Sequence, residues 1–432
     1  MNKTLEGAEL LREPPKRQGT LLAPVVQLDD GMLLDDRVFR SPTAILGNTD
    51  SGKSTFLEKI MQPVLQTVDA VRDNAVIFCA KRDLLDRFYR TGDIVISART
   101  AQPSGCWNIF RELDAAQDAE LVARDIAKAL TKSQHSSLTP FFENAANDVL
   151  FSVIMQMYEK MRATGQQYGN WHLVDFFNRV SIRRDAPLNW YDLAALYPER
   201  FAHILDYLGD ESAQGFGVLS EITTLLHEAF WGSFAAADGQ FSAIRTLKTG
   251  GRRIFLYYDL ANSSEASVKI YQTVLELLFK HSLDPDNRRR TWYFLDEFSL
   301  LPKTCLADVL SLGRGMGTRV FICLQSAALL TRHYTEQEAK TLLSLFPNLL
   351  CFRVMDSLSR AALADRYGKG LRQYTVADCT QAKPLLHIAD RAALADGDFC
   401  TLLEKKGNAL CSIPELSGRP FLYSGYKKEL DV

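Results

Sequence analysis

The residues whose types and order most directly imply chemistry are Gly47-Asn48-Thr49-Asp50-Ser51-Gly52-Lys53-Ser54-Thr55, which follow the apolar run Ala44-Ile45-Leu46. Their spacing is that of a phosphate-binding loop between a strand and a helix. The glycines let successive backbone N–H groups curl around phosphate oxygens, with the positive end of the helix behind them. Lys53 then reaches the β- and γ-phosphates and the Ser54 hydroxyl ligates Mg²⁺, so the expected ligands are ATP and Mg²⁺. The alternative is a glycine turn that merely opens a helix, and the flanking strand and helix patterns weigh against it.

Further along, Trp292-Tyr293-Phe294-Leu295-Asp296-Glu297 is an apolar strand ending in two acids. In an ATPase Asp296 joins the Mg²⁺ shell and Glu297 polarises the attacking water as general base. By itself such an ending is equally well a solvated turn, but a phosphate loop in the same chain favours the catalytic reading. The tandem acid also separates an ATPase from a small-molecule kinase, which needs no water-activating glutamate. Gln325-Ser326 closes another apolar strand, and an amide there either senses the γ-phosphate and orients water or is a satisfied edge glutamine. Before that strand lies Gly313-Arg314-Gly315-Met316-Gly317. Arg314 either acts as an arginine finger on a neighbour's ATP or belongs to a basic surface turn.

These groups need a scaffold, and the apolar periodicities supply one. Phe56, Ile60, Met61, Val64 and Leu65 fall at helical spacing directly after the loop. Strands are expected at 75–79, 94–97, 253–259, 291–295, 320–324 and 349–354, several as unbroken apolar runs of the kind buried on both faces of a parallel sheet. Between 111 and 230 the pattern is helical, with one stripe through Val149, Leu150, Val153, Ile154 and Met157 and another through Val218, Ile222, Leu225, Leu226 and Ala229. The expected organisation is therefore a flexible lead-in at 1–20, a nucleotide-binding domain in two parts, 21–110 and 231–432, and an all-α domain inserted at 111–230. Two apolar runs around Asp29-Asp30-Gly31 suggest a hairpin. Beyond residue 374 the pattern weakens to a helix at 390–395 and short strands at 398–403 and 409–413.

Composition narrows the class. The 432 residues are 47% hydrophobic and 24% charged, enough for two or three cores. With 50 basic and 52 acidic residues the formal charge is -2, so any nucleic-acid contact must be local. Eight cysteines without a Cys-x-x-Cys pair argue against a disulfide framework or zinc site and fit a reducing cytoplasm. No apolar run reaches about 18 residues and the first 17 are polar and charged, so neither a signal peptide nor a transmembrane segment is expected.

Taken in order, the phosphate loop, Trp107-Asn108-Ile109-Phe110, Phe142-Glu143-Asn144-Ala145-Ala146, Leu295-Asp296-Glu297-Phe298, Gly313-Arg314 and Leu324-Gln325-Ser326 are similar to the motifs of one family. From about residue 22 to 425 the chain resembles the conjugative coupling proteins, the DNA-transfer ATPases of type IV secretion systems. The resemblance implies an α/β fold: a RecA-like P-loop NTPase domain with a central, mostly parallel sheet, interrupted by an all-α domain. It also implies a homo-oligomeric, hexameric ring that hydrolyses ATP between subunits and moves single-stranded DNA or a nucleoprotein toward a secretion channel. Its further partners would be a relaxase or secretion-system components. By this likeness Lys53 and Ser54 hold ATP and Mg²⁺, Asp296 and Glu297 support hydrolysis, Gln325 is a sensor, and Arg314 is the inter-subunit arginine. The rival reading is a nucleotide-switched adaptor that recruits a relaxase or effector through the all-α domain without translocation. Three departures stand out. Transmembrane helices usual in the family are not seen, so a cytoplasmic location is expected, with any inner-membrane attachment through a partner. Asp50 stands where the family generally has glycine, and Phe78-Cys79-Ala80-Lys81-Arg82 where it typically has Asp-Pro-Lys-Gly.

Overall fold

In the computed structural model the apolar runs become strands and the amphipathic runs helices. It describes residues 3–6, 11, 14–16, 19–28, 31–99, 103–132, 140–208, 213–260, 265–287, 289–367, 371–373 and 409–423. The chain divides into two compact units, one made of 1–78 with 288–432 and the other of 79–287. The second unit thus takes in, besides the stretch 111–230, sequence on both sides of it.

In the first unit the strand order is Phe421–Tyr423, Ala409–Ser412, Asn348–Cys351, Thr43–Leu46, Thr318–Leu324, Thr291–Leu295, Asn74–Cys79. All pair in parallel except the two strands at the Phe421 edge, which run antiparallel. The sheet is thus mostly parallel, and the fold is α/β, as expected. Each parallel strand is buried along its whole length, which is why, past a polar residue or two at its start, its sequence is an apolar run rather than an alternation. One face of the sheet is filled by aromatic rings. Phe321 lies 5.0 Å from Phe294, 5.6 Å from Phe39 and 6.4 Å from Trp292, centroid to centroid. Helix Lys53–Val71 is fixed through Phe56, whose ring meets Phe352 at 6.1 Å and Tyr423 at 5.4 Å.

The second unit is built from helices, the longest being Pro140–Thr164, with the parallel pair Ile94–Ile96 and Arg253–Tyr257. Both expected apolar stripes are buried. Polar ties fasten the helices. Glu112, fully buried, accepts from Trp107 Nε1 at 2.8 Å, Ser242 Oγ at 2.6 Å and the amides of Ala243 and Ile244 at 2.6 and 3.1 Å. Asn108 donates to the carbonyls of Tyr168 and Gly239, while Asn170 donates to those of Trp107 and Phe234. The Trp107–Phe110 string is therefore a clamp for the helices, buried throughout.

Some expectations change. Residues 3–6 of the lead-in are not irregular: Lys3–Glu6 forms a strand antiparallel to Leu371–Gln373, a long-range pairing no local pattern announces. The hairpin exists, but its strands, Val26–Gln27 and Leu33–Leu34, have two residues each. The 409–413 strand is found at Ala409–Ser412, whereas 390–395 and 398–403 lie outside the described residues. Among the described residues the cysteines at 79, 106, 305, 323, 351 and 411 form no disulfide with one another, and those at 379 and 400 lie outside the described residues. Among the described residues no helix is long and apolar enough to cross a membrane.

At the amino edge of the sheet sits a buried charge cluster that no motif signals. Arg319, the second residue of its strand, holds Asp36 through Nε at 3.1 Å and Nη2 at 3.2 Å, and Arg290 approaches Asp36 at 3.3 Å and Asp73 at 2.8 Å. Burial pushes the Asp36 carboxyl up, but the Arg319 hydrogen bonds and charge, with Arg290 and Arg40, outweigh it and leave the pKa below its ordinary 3.8. Arg319→Met, which leaves a buried carboxylate short of its main partner, should cost about 3 kcal/mol or more in urea unfolding. Because the folded pKa of Asp36 is depressed, its stabilising contribution is full above the unfolded value and is lost as pH falls through the folded one. The stability gap between the wild type and Asp36→Asn should therefore be constant near neutrality and close only in the acid range below about pH 4.

Candidate nucleotide site

Residues 47–52 leave the buried strand Thr43–Leu46 and turn into helix Lys53–Val71. The amide of Gly47 donates to the Leu324 carbonyl at 3.0 Å and that of Asn48 to the Arg353 carbonyl at 2.8 Å, so both neighbouring strands grip the base of the loop. Gly47 admits no side chain: a Cβ would lie 2.5 Å from Ser51 Oγ and 2.6 Å from Phe352 Cβ. Gly52, as the N-cap, has φ 105°, a region glycine enters without steric cost. Thr49 and Asp50 are exposed at the tip, Asn48, Ser54 and Thr55 are half-buried, and Ser51 and Lys53 are buried.

The two acids arrive from the strand Thr291–Leu295. The Asp296 amide donates to the Phe78 carbonyl at 3.0 Å, and both acidic residues are largely buried. Glu297 has φ 54°, the left-handed region, which a glutamate occupies only when its surroundings enforce it. Gln325 supplies such a constraint: its Nε2 donates to Glu297 Oε1 at 2.8 Å. The strand Thr318–Leu324 lies between the strand that carries the loop and the strand that carries the acids. In register, Leu46 faces Leu324 and Leu295 faces Ile322, so the loop strand ends level with the central strand and the acid strand ends two residues short of it, which leaves Asp296 and Glu297 beside the last residues of the central strand. Beneath them the Cys323 thiol is pushed well above its ordinary pKa, first by burial and then by Asp296 and Glu297, against Lys53. Lys53, Asp296 and Glu297 thus all lie within electrostatic reach of one buried thiol.

The residues present suit a nucleotide triphosphate with Mg²⁺. Ser51 Oγ is buried without a hydrogen-bond partner in the protein, at the centre of the loop, where a phosphate oxygen would satisfy it. Among the described residues no cluster of three or more His, Cys, Asp or Glu could hold a metal alone. A Mg²⁺ held by the Ser54 hydroxyl and the Asp296 carboxylate would be completed by phosphate and water oxygens.

Arg314 stands apart from this group. It is exposed in the turn that precedes strand Thr318–Leu324, at the opposite end from Gln325. A seven-residue strand at about 3.3 Å per residue puts it roughly 20 Å from the carboxyl edge. It therefore does not reach the phosphate loop of its own chain. Two neighbours of the loop escaped the sequence reading: Phe352, which closes on Gly47, and Arg353, which accepts the Asn48 amide. The expected strand at 349–354 takes both in, but the strand runs from Asn348 to Cys351 and both lie beyond its end; an apolar run does not say which loop its last residues will meet.

Residues 31–178 and 223–383, well over half of the chain, match the family model described as the type IV secretion-system coupling protein DNA-binding domain. The chain belongs to this family. Among solved structures it is similar to the bacterial conjugative coupling protein TrwB. The unbound form shares 18% identity at TM-score 0.69 over 98% of this chain and 93% of that one. TrwB bound to a non-hydrolysable ATP analogue gives 18% and 0.70 over 98% and 94%, and TrwB bound to ADP and Mg²⁺ gives the same values. VirB4 of Thermoanaerobacter pseudethanolicus is more distant, at 15% identity and TM-score 0.54 over 94% and 96%. No curated protein matches with significance. These likenesses give the fold, RecA-like, in agreement with the strand order above.

The tip of the loop sets this chain apart from the pattern its sequence resembles. Asp50 has φ 59°, also left-handed, which explains a glycine preference there and its tolerance of aspartate, one of the few side chains that visit this region. Asp50→Gly should be neutral or slightly stabilising in urea unfolding. Asp50→Val, a β-branched residue at positive φ, should cost about 1–2 kcal/mol. Equal stabilities would mean that the loop relaxes out of the left-handed region.

Proposed function

We propose that this protein is an ATP-hydrolysing, DNA-translocating motor of the coupling-protein type. It would work as a homo-oligomeric ring, six subunits by the resemblance, and move single-stranded DNA or a nucleoprotein. The observation that carries the reading is the meeting of the phosphate loop, the Asp296-Glu297 pair and Gln325 at one carboxyl edge, with Gln325 bonded to Glu297 at 2.8 Å. The TrwB complexes with an ATP analogue and with ADP and Mg²⁺ point to the same ligands here.

In this reading the amides of 48–55 and Lys53 hold the phosphates, while Ser54 and Asp296 hold Mg²⁺. Bound Mg²⁺–ATP supplies an electrophilic γ-phosphoryl group and a stabilised ADP leaving group. Glu297 orients the attacking water and takes its proton as the oxygen bonds to phosphorus, and Gln325 fixes the glutamate for that task. Arg314, too far from its own loop, stabilises the developing charge at a neighbour's. In the rival reading, a nucleotide-switched adaptor, the all-α stretch 111–230 would instead recruit a relaxase or effector without translocation. The protein acts in the cytoplasm, or at the inner membrane through a partner.

Turnover measured with and without single-stranded DNA tests the reading: a motor is stimulated, whereas a nucleotide-switched adaptor is slow and indifferent. Lys53→Ala should abolish turnover. Glu297→Gln should bind ATP like the wild type and hydrolyse it at least about a hundredfold more slowly. Asp50→Gly should bind ATP more tightly in nucleotide titration, since two negative groups several ångströms apart repel by about 1 kcal/mol or more. Arg314→Ala should lower turnover without weakening binding. Mixing Arg314→Ala with Glu297→Gln subunits should restore part of the activity, because some interfaces then join an intact Glu297 to an intact Arg314. Absence of rescue would sink the inter-subunit assignment.

A further inference from the structure

At the carboxyl edge of the first unit one short segment ties the phosphate loop to the turn that carries Gln325. Phe352 leaves the strand Asn348–Cys351 with its amide donating to the Leu46 carbonyl at 2.8 Å, and the Arg353 carbonyl accepts the Asn48 amide at 2.8 Å. Further on, Ser359 Oγ accepts the amide of Ala327, two residues beyond Gln325, at 2.9 Å. The strand Thr43–Leu46 lies between Asn348–Cys351 and Thr318–Leu324. Residues 352–359 therefore form a strap across the base of the loop, fixed to the loop at one end and to the Gln325 turn at the other.

The far end of this strap is closed to water, since Ser359 and Ala327 are both fully buried. Ala327 opens the short 3₁₀ helix Ala327–Arg332, so its amide has no acceptor within that helix. The Ser326 hydroxyl caps the Ala328 amide at 3.0 Å, which leaves the Ala327 amide to Ser359. Ser359 is itself held, because its own amide donates to Asp356 Oδ1 at 2.8 Å. Asp356 Oδ2 is buried without a partner in the protein, so among the described residues the bond to Ser359 is the one that this carboxylate makes. A line of contacts thus runs from Asp356 to Ser359, to Ala327 and along the turn to Gln325, which donates to Glu297 at 2.8 Å.

We propose that Ser359, oriented by Asp356, is a positioning residue for hydrolysis: it fixes the turn that carries Gln325 and, through Gln325, the glutamate that orients the attacking water. The proposal rests on the ATPase reading above and adds to it a residue outside every motif. A buried amide requires an acceptor. Without the Ser359 hydroxyl the Ala327 amide is left unpaired, the turn shifts to regain a partner, and Gln325 shifts with it. Glu297, held at φ 54°, then loses the bond that constrains it. A misplacement of about 1 Å in a group that orients a nucleophile costs up to about a hundredfold in rate. The phosphates are held by the loop amides and Lys53, none of which bonds to Ser359, so the loss falls on the chemical step and not on affinity.

Single-turnover ATP hydrolysis by the full chain, followed for hours so that slow variants still give a rate, tests this beside nucleotide titration. Ser359→Ala should slow hydrolysis about ten- to a hundredfold with ATP affinity within about twofold of the wild type. Asp356→Ala should slow it about three- to tenfold, whereas Asp356→Asn, whose amide oxygen still accepts the Ser359 amide, should stay within about twofold. In a Gln325→Ala background Ser359→Ala should add less than about twofold, because the group it positions is gone. A general loss of structure would instead act equally in both backgrounds. Urea midpoints check that each variant is folded, and the Asp356 pair carries the test if Ser359→Ala is not. Ser359→Ala that hydrolyses like the wild type, that loses affinity in step with rate, or that slows the Gln325→Ala background as much as it slows the wild type would each overturn the proposal. So would an Asp356→Asn rate as low as that of Asp356→Ala. A wild type that binds ATP and does not hydrolyse it would sink the ATPase reading as a whole, while a wild type that hydrolyses it with Ser359→Ala unchanged would remove the positioning role alone.

Discussion

Parallel strand pairing is the constraint on which the site depends. Three apolar strands lie side by side in one direction, so the residues that follow them emerge at one edge: the loop after Leu46, the acids after Leu295 and the amide after Leu324. The hydrogen-bond register fixes their relative heights without any contribution from the polar groups themselves. A slip by one residue would send each side chain to the opposite face and break specific packing such as Phe321 on Phe294 and Trp292, so the register is held by side-chain fit and the site inherits it. The same geometry sends Arg314 to the far edge, because the turn that precedes a parallel strand and the turn that follows it lie at opposite ends.

Backbone strain is concentrated where these groups meet. Among the described residues the positive-φ positions that are not glycine are Asp50, Arg72 and Glu297, and two of the three belong to the candidate site. Such conformations persist only when their surroundings over-determine them. For Glu297 one such constraint is visible in Gln325, and for the loop it is the pair of amide bonds to Leu324 and Arg353. Packing serves the same end: Phe56 meets Phe352 and Tyr423, tying the helix behind the loop to the antiparallel edge of the sheet.

Elsewhere buried polar residues do the fastening. In the second unit Glu112, Asn108 and Asn170 each satisfy several backbone or side-chain groups from distant segments, and in the first unit Asp36, Asp73, Arg290 and Arg319 form a closed charge cluster. Groups of this kind contribute less to net stability than to uniqueness of arrangement, since any misplacement leaves one of them buried without its partner. Within the first unit the Arg319 pair stands directly behind the turn that carries Arg314.

What the sequence determined by itself is local. Gly47, Gly52 and Lys53 announce a phosphate loop because only certain residues allow its backbone, and unbroken apolar runs announce strands because burial on both faces leaves no polar face to write. The helical stripes around Val153 and Ile222 were legible for the same reason, and the order of the motifs carried the family and fold. What only the tertiary structure decided is non-local. The pairing of Lys3–Glu6 with Leu371–Gln373, the Asp36–Arg319 cluster, the clamp role of Trp107-Asn108 and the closeness of Phe352 to Gly47 all join residues far apart in the chain. No periodicity encodes such a contact, since its partner is chosen by strand order and by what remains to be buried once the sheet has formed. The place of Arg314 is of this kind too. The sequence shows a basic glycine-rich turn, but only the direction of its strand puts that turn beyond reach of its own phosphate loop.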